Sequence, residues 1–90
     1  MAYTFDELIA MQRAAEQAHN RVQELRVQYG PPTHTKWTPT QARTYETAMR
    51  AWRDLARDVQ AAVAEYAKAQ GEQRSEVEAA VKRGTQHPEA

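Results

Sequence analysis

The segment LRVQYGPPTHTKWTPTQARTY, residues 25–45, decides the fold, because it holds the end of one helical pattern, two adjacent prolines and the start of a second pattern. Upstream of it, apolar residues recur as Leu8, Met11, Ala15, Ala18, Val22, Leu25 and Tyr29, in alternating steps of three and four. Such spacing keeps one stripe of an α-helix apolar along its length. The pattern stops at Gly30, a residue able to take the left-handed backbone at a helix C-terminus, and Pro31 and Pro32 cannot continue a helix. Downstream, Thr38 is placed as an N-cap, Pro39 occupies the first helical position, where its missing N–H costs nothing, and Gln41 closes a capping box. A second seam follows as Ala42, Tyr45, Met49, Trp52, Ala56, Val59, Val63 and Tyr66, with Leu55 and Ala62 widening it on one side.

Outward from this segment the remaining boundaries follow. Thr4 and Glu7 form a capping box for the first helix, with Tyr3 and Leu8 at the positions of a hydrophobic staple. The pattern predicts helix 1 over about residues 5–29 and helix 2 over about 39–70. Past Tyr66 the seam turns polar at Gln70 and Gln73, and Gly71 falls where it decays. Ser75 with Glu78 is a further candidate capping box ahead of Val77, Ala80 and Val81, which predicts a short third helix, or an extension of the second, over about 75–83. One domain over 1–84 with a flexible tail at 85–90, containing His87 and Pro88, is expected.

The expected fold class is all-α, an antiparallel two-helix hairpin, because a connector of about eight residues joins neighbouring helices most simply. At ~1.5 Å per residue helix 1 is roughly 37 Å long and helix 2 roughly 48 Å, so the second overhangs the first and its surplus apolar face needs another partner. Pairing outward from the turn sets Tyr29 and Leu25 near Ala42 and Tyr45, Val22 near Met49, Ala15 and Ala18 opposite Trp52, and Phe5 and Leu8 near Val63 and Tyr66. Large residues thereby meet small ones.

Ninety residues can bury only a thin core, and of the apolar residues seventeen are alanine and twenty are larger. Self-association, as a homodimer of hairpins, is the expected remedy. Twelve basic and twelve acidic residues cancel, so any argument from charge must be local. Cysteine is absent, which excludes disulfides, thiolate zinc sites and cysteine nucleophiles. The first residues lack the basic and apolar regions of a Sec-type signal, and no apolar run approaches a membrane span. A soluble, cytoplasmic chain with no membrane partner is expected.

The residues that could carry chemistry have plain structural uses. Asp6 and Glu7 complement the dipole of a first helical turn. His19, His34 and His87 share no metal-ligand spacing, so no metal site is expected. Ser75 has no nearby histidine and suits a helix start, and Gly30, Gly71 and Gly84 are isolated and form no phosphate-binding loop. With no nucleophile, acid–base pair, metal set or phosphate cradle, the sequence predicts neither an enzyme nor a cofactor nor a small-molecule substrate.

Charge, by contrast, is uneven. Over residues 26–57 there are six basic side chains (Arg26, Lys36, Arg43, Arg50, Arg53, Arg57) against two acids, Glu46 and Asp54. Arg43, Arg50 and Arg57 repeat every seven residues and are expected along one flank of helix 2. With His34, Lys36 and Trp37 near the turn they form a candidate contact for nucleic acid or an acidic protein. The competing expectation is a solvated face, in which Glu46, Arg50, Asp54 and Asp58 pair at i,i+4. Trp37 precedes a helix cap, where its staple partner is only Ala42, and this points to a partly exposed contact residue.

In architecture the chain resembles the small secreted helical hairpins of type VII secretion. Those proteins carry Trp-x-Gly in the turn and Tyr-x-x-x-Asp/Glu after the second helix. Here Trp37 is followed by Thr38 and Pro39, and Tyr66 is followed four residues on by Gln70, so the resemblance ends at architecture. The sequence reading is a non-enzymatic protein-interaction module that binds itself or a helical partner, with Trp52, Leu55, Val59, Val63 and Tyr66 as its interface. A small phage or mobile-element protein that binds a host factor fits the same pattern, and a nucleic-acid-binding protein using the basic flank is the alternative.

Overall fold

The computed structural model describes residues 3–33 and 36–86. They form three helices, α1 (Phe5–Tyr29), α2 (Pro39–Gln70) and α3 (Arg74–Thr85), with no strand among the described residues. Both predicted capping boxes are present. The Thr4 hydroxyl accepts the Glu7 N–H at 3.1 Å while the Glu7 carboxylate accepts the Thr4 N–H at 2.7 Å. Thr38 and Gln41 repeat the exchange at 3.1 and 3.0 Å. Each N-cap stabilises its helix by about 1 kcal/mol, so these local signals fix where both long helices begin.

The helix ends use glycine in two ways. Gly30 has φ 76° and ψ 170°, not the left-handed helical conformation expected from its position. This region is essentially closed to residues with a Cβ, and it turns the chain straight out into Pro31. Gly71, at φ 68° and ψ 30°, is the true left-handed cap. Around it the Glu72 N–H reaches the Ala67 carbonyl at 2.9 Å and the Gly71 N–H reaches Lys68 at 3.4 Å, the paired bonds of a Schellman ending.

That ending corrects the expected start of the third helix. Ser75 is not its cap: the N-cap is Gln73, which makes no side-chain capping bond, and Ser75 lies exposed in the first turn. The Schellman turn spends only Glu72 and Gln73 before the chain re-enters a helix, so Gln73 already accepts backbone bonds from Glu76 and Val77. At the other end α3 continues to Thr85, beyond the predicted 83 and into the stretch assigned to the tail. The Thr85 hydroxyl donates to the Lys82 carbonyl at 2.8 Å and lies 3.3 Å from the Glu16 carboxylate. Residues 87–90, with His87 and Pro88, lie outside the described residues.

α1 and α2 form the antiparallel hairpin in close to the predicted register. Phe5 meets Tyr66 at the open end, with ring centroids 6.2 Å apart, and His19 meets Trp52 at mid-length, 4.6 Å apart. The surplus length of α2 finds its partner within the chain, since α3 folds back over the hairpin and crosses from α2 to α1. Its docking is pinned by the Arg13 guanidinium on the Gly84 carbonyl, 3.3 Å, and by Arg74 on Gln60. Leu8, Ala15, Val59, Ala62, Val63 and Ala67 are buried there together with Val77 and Val81 of α3, and Tyr3, Phe5, Met11, Leu55 and Tyr66 pack around them. Toward the turn only two helices remain, and their fully buried apolar residues are Val22 and Leu25. The fold is thus a three-helix core at one end and a bare two-helix ridge at the other.

Candidate functional site

The five side chains expected to drive assembly divide between these two regions. Val59 and Val63 are closed inside the three-helix core, where α3 supplies the cover that a second chain would otherwise give. Leu55 and Tyr66 are half-buried and packed against that core. Trp52 lies lower, half-buried beside His19, where it walls a groove of about 250 Å³ floored by Ala15, Ala56 and Val59 and bounded above by Glu78 and Lys82 of α3. The stripe therefore keeps free surface where α3 no longer covers it, at Trp52 and toward the turn.

Trp37 turns inward. Its indole sits between Tyr29 and Tyr45, with centroid distances of 5.5 and 5.0 Å and edge-on ring angles of 71° and 66°. Its Nε1–H donates to the Gly30 carbonyl at 2.9 Å. Three aromatic residues from the end of α1, the connector and the start of α2 therefore clamp the turn, and edge-to-face pairs of this kind contribute about 0.5–1.5 kcal/mol each beyond area burial. Trp37→Ala is expected to lower unfolding stability by about 2 kcal/mol and to erase the near-UV circular dichroism of the cluster. Trp37→Phe, which keeps a ring but not the N–H, is expected to recover roughly half of that loss. Equal stability of all three chains in denaturant titrations would show that the clamp contributes nothing. His34 lies outside the described residues.

The basic side chains of α2 border two grooves. Arg50, Arg53 and Arg57 line one groove of about 510 Å³ with Tyr45, Glu46, Met49 and Asp54. Arg43 borders a neighbouring groove with Arg21, Leu25, Thr44 and Ala48. A seven-residue step turns an α-helix only about 20° away from a straight line, so Arg43, Arg50 and Arg57, all exposed, lie nearly in one row along a ridge that borders both grooves. The i,i+4 pairs expected of Glu46, Arg50, Asp54 and Asp58 do not form. Asp54 engages Arg57 at 3.4 Å, while the side chains of Arg26, Lys36, Arg43, Arg50 and Arg53 make no ion pair or hydrogen bond among the described residues.

A third groove, of about 400 Å³, opens at the turn between Arg26, Pro31, Pro32, Trp37 and Tyr45. Tyr45 borders both this groove and the arginine groove, so the two adjoin. Sequence reasoning missed it because its walls come from three separate segments. It also missed His19, which stacks on Trp52 and lies 3.3 Å from Gln23. The available signal was that His19 stands four residues after Ala15 and so shares its face of α1.

Among the described residues no group of three or more His, Asp or Glu side chains could hold a metal ion. No helix of the described residues is long and apolar enough to cross a membrane. Comparison with protein-family models, with curated proteins and with solved structures finds no match to the chain.

Proposed function

We propose that this chain is a non-enzymatic binding module that offers the turn-proximal half of its α1–α2 hairpin to a helical protein partner. The observation that carries this reading is the incomplete cover of the seam. α3 closes the open end, whereas nearer the turn the half-buried Tyr45 and Met49 lie on a two-helix ridge, with Trp52 at the edge of the α3 cover, beside the exposed Arg50 and Arg53, which have no partner among the described residues. Two helices bury little on their own, and a further helix laid into their groove completes the three- or four-helix packing in which such seams are most stable. Trp, Tyr and Met, half-buried beside arginine, are also the composition enriched at protein interfaces.

A photo-crosslinking amino acid placed at position 49 tests this in cells that make the protein, with position 61 as the control. Ala61 is exposed on the same helix but lines none of these grooves. A discrete adduct with one polypeptide is expected from position 49 and not from 61, and an adduct of twice the chain mass would identify the partner as a second copy. Identical adducts from both positions, or adducts with nucleic acid alone, would remove the reading.

A further inference from the structure

We infer that the partner helix is acidic and lies alongside α2, seating its apolar residues on Tyr45 and Met49 and its carboxylates on Arg50, Arg53 and Arg57; this rests on the binding reading above. The first support is where the charge lies. The whole chain is neutral, yet residues 26–57 carry an excess of four positive charges, and those residues include Tyr45, Met49 and Trp52. The second is the groove itself, which has an apolar floor of Tyr45 and Met49 and a rim of three arginines. Arg50 and Arg53 are uncommitted among the described residues, while Arg57 is shared with the exposed carboxylate of Asp54.

The third support is register. Arg50, Arg53 and Arg57 step by three and four residues, about 4.5 and 6 Å along the axis of α2. A helix packed alongside has the same rise, so Asp or Glu at its positions i, i+3 or i+4, and i+7 come opposite successive arginines. Each guanidinium can then grip a carboxylate with two parallel hydrogen bonds. Leucine-like residues on the adjoining stripe would fill the space over Met49, whose flexible thioether adapts to varied shapes.

A nucleic-acid backbone fits the same groove less well. Phosphates have no apolar group to set against Tyr45, Met49 and Trp52. A continuous phosphodiester chain would also have to pass Glu46 and Asp54 inside the groove, whereas a helix can put lysine or a neutral side chain opposite each.

The test uses the full chain and a fluorescent synthetic helix of about three heptads, apolar on one stripe and carrying glutamate beside it, with a lysine-for-glutamate version as control. Fluorescence anisotropy is expected to show binding of the glutamate helix and not of the lysine helix. The double variant Arg50→Glu, Arg53→Glu should weaken the glutamate helix roughly tenfold or more and gain binding of the lysine helix, with unchanged far-UV circular dichroism. Equal affinity for both helices, no binding of the glutamate helix up to about 1 mM, or no exchange of preference in the double variant would each overturn the inference. A short DNA duplex that binds the same arginines with a steep salt dependence would overturn it in favour of phosphate. A dimer in sedimentation that the double variant abolishes would overturn it in favour of a second copy. An adduct at position 49 without any charge preference would leave the binding reading in place and remove only the acidic partner.

Discussion

Val63→Asp is expected to leave the chain without a cooperative fold at neutral pH. Val63 is 1% exposed and sits in the cluster formed with Leu8 of α1 and Val81 of α3, where all three helices contribute. Replacing it removes roughly 1.5–3 kcal/mol of apolar burial. The new carboxylate finds no buried polar neighbour among the described residues, and an unpaired buried carboxyl costs several kcal/mol more, whether it stays charged or is neutralised. A domain of this size is held by only about 5–13 kcal/mol, so the sum reaches the whole of its stability. Loss of helical circular dichroism, with no protective effect of raising the protein concentration, is the expected measurement, because Val63 belongs to an intramolecular core. Val27, 83% exposed on α1, supplies the contrast: Val27→Lys should change stability by no more than about 0.5 kcal/mol. A helical, monomeric Val63→Asp chain would mean that the three helices do not meet as described.

What could be read from the sequence was whatever is encoded within a few residues. Thr4 with Glu7 and Thr38 with Gln41 satisfy backbone donors three positions away, so the starts of α1 and α2 follow from local chemistry alone. The hairpin register was also legible, since pairing the two seams outward from the turn sets Phe5 near Tyr66 and Ala18 opposite Trp52, and the observed pairs Phe5–Tyr66 and His19–Trp52 lie close to that. Ser75 misled because it offers the same local signal as Thr4 and Thr38. The Schellman ending at Gly71 starts the next helix too early for Ser75 to serve as its cap.

The rest depended on contacts between distant positions. Trp37 could be weighed only by its staple position, whereas its ring contacts with Tyr29 and Tyr45, eight residues to either side, form once the turn closes and leave it half-buried beside the groove at the turn. The arginine repeat could be read as a row because seven residues are nearly two turns, but which groove each arginine borders shows only once the helices pack. The direction in which α3 folds was not legible at all. Val77, Ala80 and Val81 make a short apolar stripe that would fit either flank of the hairpin or another chain, and what commits it includes long-range bonds, Arg13 to the Gly84 carbonyl and Arg74 to Gln60.

Removing α3, by ending the chain at residue 71, is expected to drive two hairpins to pair through their uncovered open ends. α3 contributes Val77 and Val81, both almost wholly buried, and each is worth about 1.5–3 kcal/mol of burial. Its loss should lower the melting temperature by at least about 12 °C, since each kcal/mol shifts a domain of this size by roughly 4–8 °C. It would also strip the cover from Val59 and Val63, and with Trp52, Leu55 and Tyr66 these form the stripe that the sequence marks for assembly. Two such hairpins can bury that stripe against each other as a four-helix bundle, so the shortened chain should sediment as a dimer at tens of micromolar and melt at a temperature that rises with concentration. Monomeric behaviour of the 1–71 chain with an unchanged melting temperature would show that α3 does not hold the open end shut. If α3 does hold it, the seam's need for a third helix is met from within at the open end, and only the stretch toward the turn is left for the partner helix proposed above.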